Sequence, residues 1–272
     1  MSERPTSTPD SPLAAFRHFS WRVNLAVALV LGLLSAAAWH RTIISATATD
    51  DMGMTMAQMG TISLGTGSPG MFIAMWMVMQ TAMMLPTIVP VVLVHLAVSR
   101  RRNGSVLPTI AFVAGYLAAW SAVGIVPLLA VRAVALPAAY PAAAAWLPML
   151  AGLTLVLAGA YQFTALKQTC LDRCVSPLAF VVSHDFGRGM TGELRAGLVY
   201  GGYCIGCCWA LMTVLLVVGM MNLRWMAGIF ALVFIEKSWK RGRLLARVSG
   251  GALIALGIAV VVSPAVLSMV SG

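Results

Sequence analysis

The sequence predicts an all-α, polytopic transmembrane helical bundle of about seven spans with its N-terminus cytoplasmic, and three observations carry that prediction. Hydrophobic residues fill 60% of the 272 positions and charged residues only 10%, against about 25% charged in soluble domains. The apolar residues gather into runs near the roughly 20 residues that a bilayer core requires. Lys and Arg lie to one side of those runs: with the N-terminus inside, fifteen of the 18 fall in cytoplasmic segments, and only Arg41, Arg132 and Arg224 fall outside.

The elements follow in order. Residues 1–20, "MSERPTSTPDSPLAAFRHFS", open polar and rich in Pro and Ser, and read as a disordered cytoplasmic tail. Residues 21–272 read as a single transmembrane helical domain, because the longest loops, of roughly thirty residues, are too short to fold separately. The expected spans are Val23 to Trp39, Met71 to Val98, Val106 to Val131, Ala143 to Leu166, Ala196 to Met220, Asn222 to Ile235 and Val248 to Leu267. The first ends in "SAAAW", which resembles a signal-peptidase site, but the long basic stretch before it favours an uncleaved signal anchor. The sixth is short and closely bounded by Arg224 and Glu236, so a re-entrant or tilted segment is an open alternative.

The net charge of +10 would suggest nucleic acid in a soluble chain. Here its distribution between loops matters more, and no basic tract with interleaved aromatics appears, so no nucleic-acid partner is expected. The chain lacks Walker, Rossmann and Gly-x-Ser-x-Gly signatures, which leaves nucleotide chemistry and triad hydrolysis without residues.

Sulfur is the chemistry the sequence does offer. The chain has 18 methionines, and four of them, Met52, Met54, Met56 and Met59, crowd "DDMGMTMAQMG" in a Met-rich outer loop, residues 41–70. Thioethers select Cu(I) over zinc or magnesium and do not titrate, so such a loop can capture a soft ion where free thiolates would not last. Met71, Met75, Met79 and Met83 then recur every four residues, and drift by only about 40° per step. They form a slanting stripe that descends roughly 18 Å. Packing and ion handling are both open readings of this stripe, since Met is an adaptable apolar filler. Gln80 is a polar group at membrane depth, expected to face the bundle interior. Pro86 and Pro90 remove backbone donors, and the carbonyls they free are expected to line a cavity.

Five cysteines complete the set. Cys170 and Cys174, four apart in "LKQTCLDRCVSP", share one face if helical. On the cytoplasmic side a metal or catalytic role suits them better than a structural disulfide. Cys204, Cys207 and Cys208 in "GYCIGCCWALM" lie at offsets of three and four within an arc of about 100°, near the membrane midplane, and Met212 continues the line. Three thiolates on one arc suit a two- or three-coordinate Cu(I), whereas structural zinc wants a fourth ligand from Cys170 or Cys174. No Cys-x-x-Cys-His occurs, so the common haem attachment is excluded. Gly197, Gly201, Gly202 and Gly206 crowd the same helix and predict a close interhelical contact. Glu236, beside Lys237, reads as an interfacial ion pair, with a proton or metal partner as the alternative. His40, His95 and His184 stand alone and read as solvated.

The blocks "MWMVMQTAMMLP", "YQFTALKQTCLDRCVSPLAF" and "GLVYGGYCIGCCWALMTVLLVVGMMNLRWMAGIFALVFIEK" resemble those of a bacterial family of metal-binding integral membrane proteins, formerly a domain of unknown function, over about Met71 to Pro264. The resemblance implies a multi-helix protein of the bacterial inner membrane that binds metal. Trp76, Met83, Met84, Pro86, Lys167, Cys170, Cys174, Cys204, Cys207, Cys208, Trp209, Met221, Asn222 and Glu236 match its motifs. The choice of copper comes from the sulfur chemistry.

The expected function is Cu(I) binding, with copper either transported or delivered to an enzyme under assembly. The expected metal residues are Cys204, Cys207, Cys208, Cys170, Cys174, Met75, Met79, Met83 and Met212, supported by Gln80, Lys167 and Glu236. Expected partners are membrane lipid, the metal ion and a membrane-protein complex partner. Two readings stand beside it. One is a thiol oxidoreductase that uses Cys204 and Cys207 with Cys170 and Cys174 as exchange partner. The other is a non-catalytic subunit of a membrane complex.

Overall fold

Proline opens the first helix, α1 (Pro12–Asp50), at a position where its missing N–H costs nothing. The computed structural model describes residues 12–50, 69–103, 105–138, 143–176, 179–181, 189–219, 222–239, 241–263 and 265–271, and no strand occurs among them. The helix α1 therefore reaches back into the segment expected to be a disordered tail, where Leu13, Ala14 and Ala15 are strong helix formers. Its other end takes in the start of the expected outer loop; Met52, Met54, Met56 and Met59 lie outside the described residues.

The second helix, α2 (Pro69–Asn103), carries Pro86 and Pro90 in its interior. Pro86 has no N–H to give the carbonyl of Ala82, one turn back. Two donors from α1 take its place: Ser35 Oγ at 2.8 Å and Trp39 Nε1 at 3.1 Å both reach Ala82 O. That carbonyl accordingly lines no cavity, contrary to the expectation. Leaving it unpaired would cost about 1–3 kcal/mol, so the proline defect is one of the places where α1 is tied to α2.

The third span is interrupted. Helix α3 (Leu107–Val123) stops at Gly124 and α4 (Ile125–Ala138) resumes at once. A Cβ on Gly124 would stand 2.6 Å from the indole of Trp76, whose Nε1 donates to Trp120 O at 2.9 Å. Helix α5 (Ala143–Tyr161) and α6 (Ala165–Val175) are joined through a bend of 62°. Thr164 caps α6 by accepting from Lys167 N at 3.3 Å, so the chain restarts a helix in a new direction instead of continuing the span.

Helix α7 (Gly189–Val218) is roughly 45 Å long at 1.5 Å per residue and is the axis of the site. Gly115 of α3 meets the backbone of Leu194, and Gly197 meets that of Phe112, so neither tolerates a side chain and the two helices run in backbone contact. Gly201 also faces α3, but Gly202 has open space around it. After Gly219 at φ 99° the chain turns back into α8 (Leu223–Ser238), capped by Asn222, then α9 (Gly242–Val262) and the short α10 (Ala265–Ser271). Helices α5 and α9 meet along Gly152, Gly159, Gly250 and Gly257.

Among the described residues, five helices are long and apolar enough to cross a membrane: Trp21–Thr47 within α1, Pro69–Arg101, Leu107–Ala130, Gly189–Val218 and Gly242–Val262. The bent α5–α6 pair makes a sixth if counted as one span. The expected sixth segment, Asn222 to Ile235, is α8, whose 16 residues give only roughly 24 Å. Near its C-terminal end Lys237 reaches the sulfur of Cys204.

Candidate metal centre

Offsets of three and four on α7 bring Cys204, Cys207 and Cys208 to one face, and their sulfurs all lie within 4.8 Å of one another. All three are at most 1% exposed. Cys207 Sγ stands 3.2 Å from Cys208 Sγ and donates to Cys204 O at 3.1 Å. A fourth sulfur comes from α6: Cys174 Sγ is 3.7 Å from Cys207 Sγ. Cys170, one turn earlier, lies against Gly206, where a Cβ would stand 2.6 Å from its sulfur. The glycine is the space that α6 needs to lay its cysteine face on α7. All five thiols are free and buried.

Donors surround the cluster. Tyr116 of α3 places its hydroxyl 3.2 Å from Cys204 Sγ. Lys237 of α8 puts Nζ 3.1 Å from the same sulfur and 3.2 Å from Thr87 Oγ1 of α2. Lys167 of α6, fully buried, donates to Cys207 O and, at 2.8 Å, to Glu236 Oε2. Tyr161 donates to Gly206 O at 2.6 Å and Tyr200 to Cys174 O at 3.3 Å. Glu236 does form the expected ion pair, but within the bundle and with Lys167: it is 1% exposed. A buried carboxylate is tolerable only with such a partner.

The methionine stripe divides. Met71 is 72% exposed and Met75 half-buried, while Met79 and Met83 are buried in the core with Met212. The next member of the row is Thr87, one turn beyond Met83, and it holds Lys237 against Cys204. The stripe and the cluster thus meet through one ammonium group. Gln80 is fully buried, and neither end of its amide finds a partner among the described residues.

His95 is not solvated. It is buried, with Nε2 at 2.8 Å from Glu193 Oε2 of α7 and Nδ1 at 3.0 Å from Thr109 Oγ1 of α3. This knot ties α2, α3 and α7 together near the ends that bear Arg100 to Arg102 and Arg195. The sequence singled out neither Thr87 nor Tyr116, and it placed Lys237 only beside Glu236. No local pattern marks them, since their partners are distant along the chain.

Residues 73–260 match the model of a family described as PpoB2, copper chaperone. The chain belongs to this copper-chaperone family. No curated protein and no solved structure matches it. All five cysteines, Tyr116, Lys167, Glu236 and Lys237 lie inside the matched range, and Met71 lies just outside it. For a member of a copper-chaperone family, the arrangement on α7 has the right donors. Three soft sulfurs with no carboxylate in the cluster fit copper better than a hard divalent ion. The chain is a membrane protein whose cysteine cluster fits copper binding.

Proposed function

We propose that this chain holds Cu(I) on Cys204, Cys207 and Cys208 and hands it to an acceptor protein under assembly. The observation that carries the reading is three buried sulfurs within 4.8 Å of one another on a single helix of a copper-chaperone family member. Thiolates bind the soft ion tightly, whereas the neutral thioethers of Met75, Met79 and Met83 hold it weakly. Such a gradient draws copper from the stripe to the cluster. Cys174, next to Cys207, is then the first sulfur available for onward ligand exchange, with Cys170 behind it. In this reading the protein lies in the bacterial inner membrane with its N-terminus cytoplasmic, which puts the mouth of the stripe outside.

The test is copper content of the purified full-length protein beside the triple variant Cys204→Ser, Cys207→Ser, Cys208→Ser, loaded under reducing conditions. The wild type is expected to retain copper through desalting and the variant to retain none. Equal content in both defeats the assignment. X-ray absorption at the copper edge is expected to give a sulfur-only shell, and a shell rich in nitrogen and oxygen would defeat it as well.

One distance favours a second reading. Cys174 and Cys207 are 3.7 Å apart, close enough to join as a disulfide if a membrane quinone or similar acceptor removed two electrons and two protons. In that case the chain is a thiol oxidoreductase. Mapping of cysteine linkages after rapid alkylation under native conditions decides between them, since the copper reading expects no disulfide among the five cysteines.

A further inference from the structure

Lys237 presents an unusual balance of charge. Its ammonium sits inside the helical bundle, where an unpaired cation is costly. The neighbouring carboxylate, Glu236, pairs through Oε2 with Lys167 and makes no ion pair with Lys237. No carboxylate pairs with Lys237 among the described residues; its partners are the hydroxyl of Thr87 and the sulfur of Cys204. Of these two bonded partners only the sulfur can carry negative charge. Conversely, three thiolates around one Cu(I) leave a net negative charge in a medium that solvates it poorly. Lys167 and Glu236 together contribute none to offset it.

The geometry also says how the ammonium acts. Lys237 touches Cys204 alone, while Cys207 leans on Cys208 and Cys174. It therefore flanks the cluster and does not occupy its centre, so a metal held by the three sulfurs does not have to expel it. Thr87, from a different helix, fixes the ammonium at this distance. Tyr116 approaches the same sulfur from α3. Of the three cysteines, Cys204 is thus the one whose position and charge are set by groups outside α7 and α6.

We propose that Lys237 is the counter-cation of the copper site, a positioning residue that keeps Cys204 in the metal's shell and is itself held by Thr87. The proposal rests on the Cu(I) reading above. Without the ammonium, Cys204 is the ligand that is lost, and copper remains on the Cys207 and Cys208 pair.

The experiment uses full-length protein in detergent, with Cu(I) affinity measured by competition against a chromogenic Cu(I) chelator and sulfur number measured by X-ray absorption. Lys237→Met is expected to weaken Cu(I) binding by about 10- to 100-fold, the usual effect of removing a group that orients a metal ligand. Its sulfur shell is expected to fall from three to two. Lys237→Arg restores the charge and is expected to restore three sulfurs. Thr87→Val, which keeps the side-chain shape, moves affinity in the same direction by a smaller factor, and tests the proposal should the methionine variant fail to fold. Wild-type affinity and three sulfurs in Lys237→Met would overturn the counter-cation. So would an arginine variant as damaged as the methionine one, which would mean that shape and not charge matters. A wild type that binds no Cu(I) overturns the copper reading itself, and is told apart by the control.

Discussion

Cys204, Cys207 and Cys208 sit among donors, whereas Met79 and Met83 sit among hydrocarbon. Around the cysteines stand the Tyr116 hydroxyl and the Lys237 ammonium, with Lys167 bonded to the backbone between two of them. Around the two buried methionines of the stripe no polar group is bonded to sulfur among the described residues, and the nearby Gln80 amide is unpartnered. Both regions offer soft sulfur in an apolar bundle. The difference follows from charge. A thiolate needs a compensating cation in a low-dielectric interior, and a thioether does not. The donors around the cysteines suit a charged site, and the hydrocarbon around the two methionines suits a neutral one.

The comparison can be broken most severely at Lys167. Lys167→Met removes the ion-pair partner of the buried Glu236 carboxylate, and is expected to cost about 3–5 kcal/mol of stability. Chemical unfolding in detergent micelles checks it. The double variant Lys167→Met, Glu236→Met should recover much of the loss, because a matched apolar pair removes both desolvated charges. Recovery of stability without recovery of copper affinity would sharpen the distinction between the fold of the cluster and its chemistry.

A smaller effect is expected in the stripe. Met83→Leu keeps volume and costs less than about 1.5 kcal/mol, and it should leave the equilibrium affinity of the cysteine site unchanged. Loading from the outer face, followed by stopped-flow in reconstituted vesicles, is expected to slow severalfold. If loading is as fast as in the wild type, the stripe is packing and the comparison reduces to a single site.

The smallest change concerns the scaffold of the stripe. Ser35→Ala removes one of two donors to Ala82 O, so its cost is held to about 1 kcal/mol by the remaining bond from Trp39. Combination with Trp39→Phe leaves the carbonyl without either donor and should exceed the sum of the two single changes, read from the same unfolding curves.

How much of this was legible in the sequence depends on the range of each interaction. The bundle was legible because a bilayer demands apolar runs of a given length, and the cysteine triad was legible because helical offsets of three and four are local. The short sixth segment was visible as a length, but the contact of its Lys237 with Cys204 was not. The bend at Thr164, which turns Cys174 toward Cys207, reads in sequence only as "QFTALK", a cap that propensity alone does not distinguish from a continuing span. Lys237 was misjudged because a cation at the end of an apolar run ordinarily reaches the interface. Its partners, Cys204 and Thr87, are 33 and 150 positions away. His95 and Glu193, 98 positions apart, were missed for the same reason.

By itself, then, the sequence determined the class of fold, the element and the ligand type: sulfur on helices in a membrane, with three thiols on one arc. Helical periodicity repeats every 3.6 residues and hydropathy is a sum over neighbours, so both are written locally. Which charges face those thiols was decided only by the tertiary structure. Glycines at 115, 197 and 206 set how closely α3 and α6 approach α7. That approach, not any spacing along the chain, brings a tyrosine and a second set of thiols to the cluster, while the turn after α7 returns α8 and its lysine to Cys204.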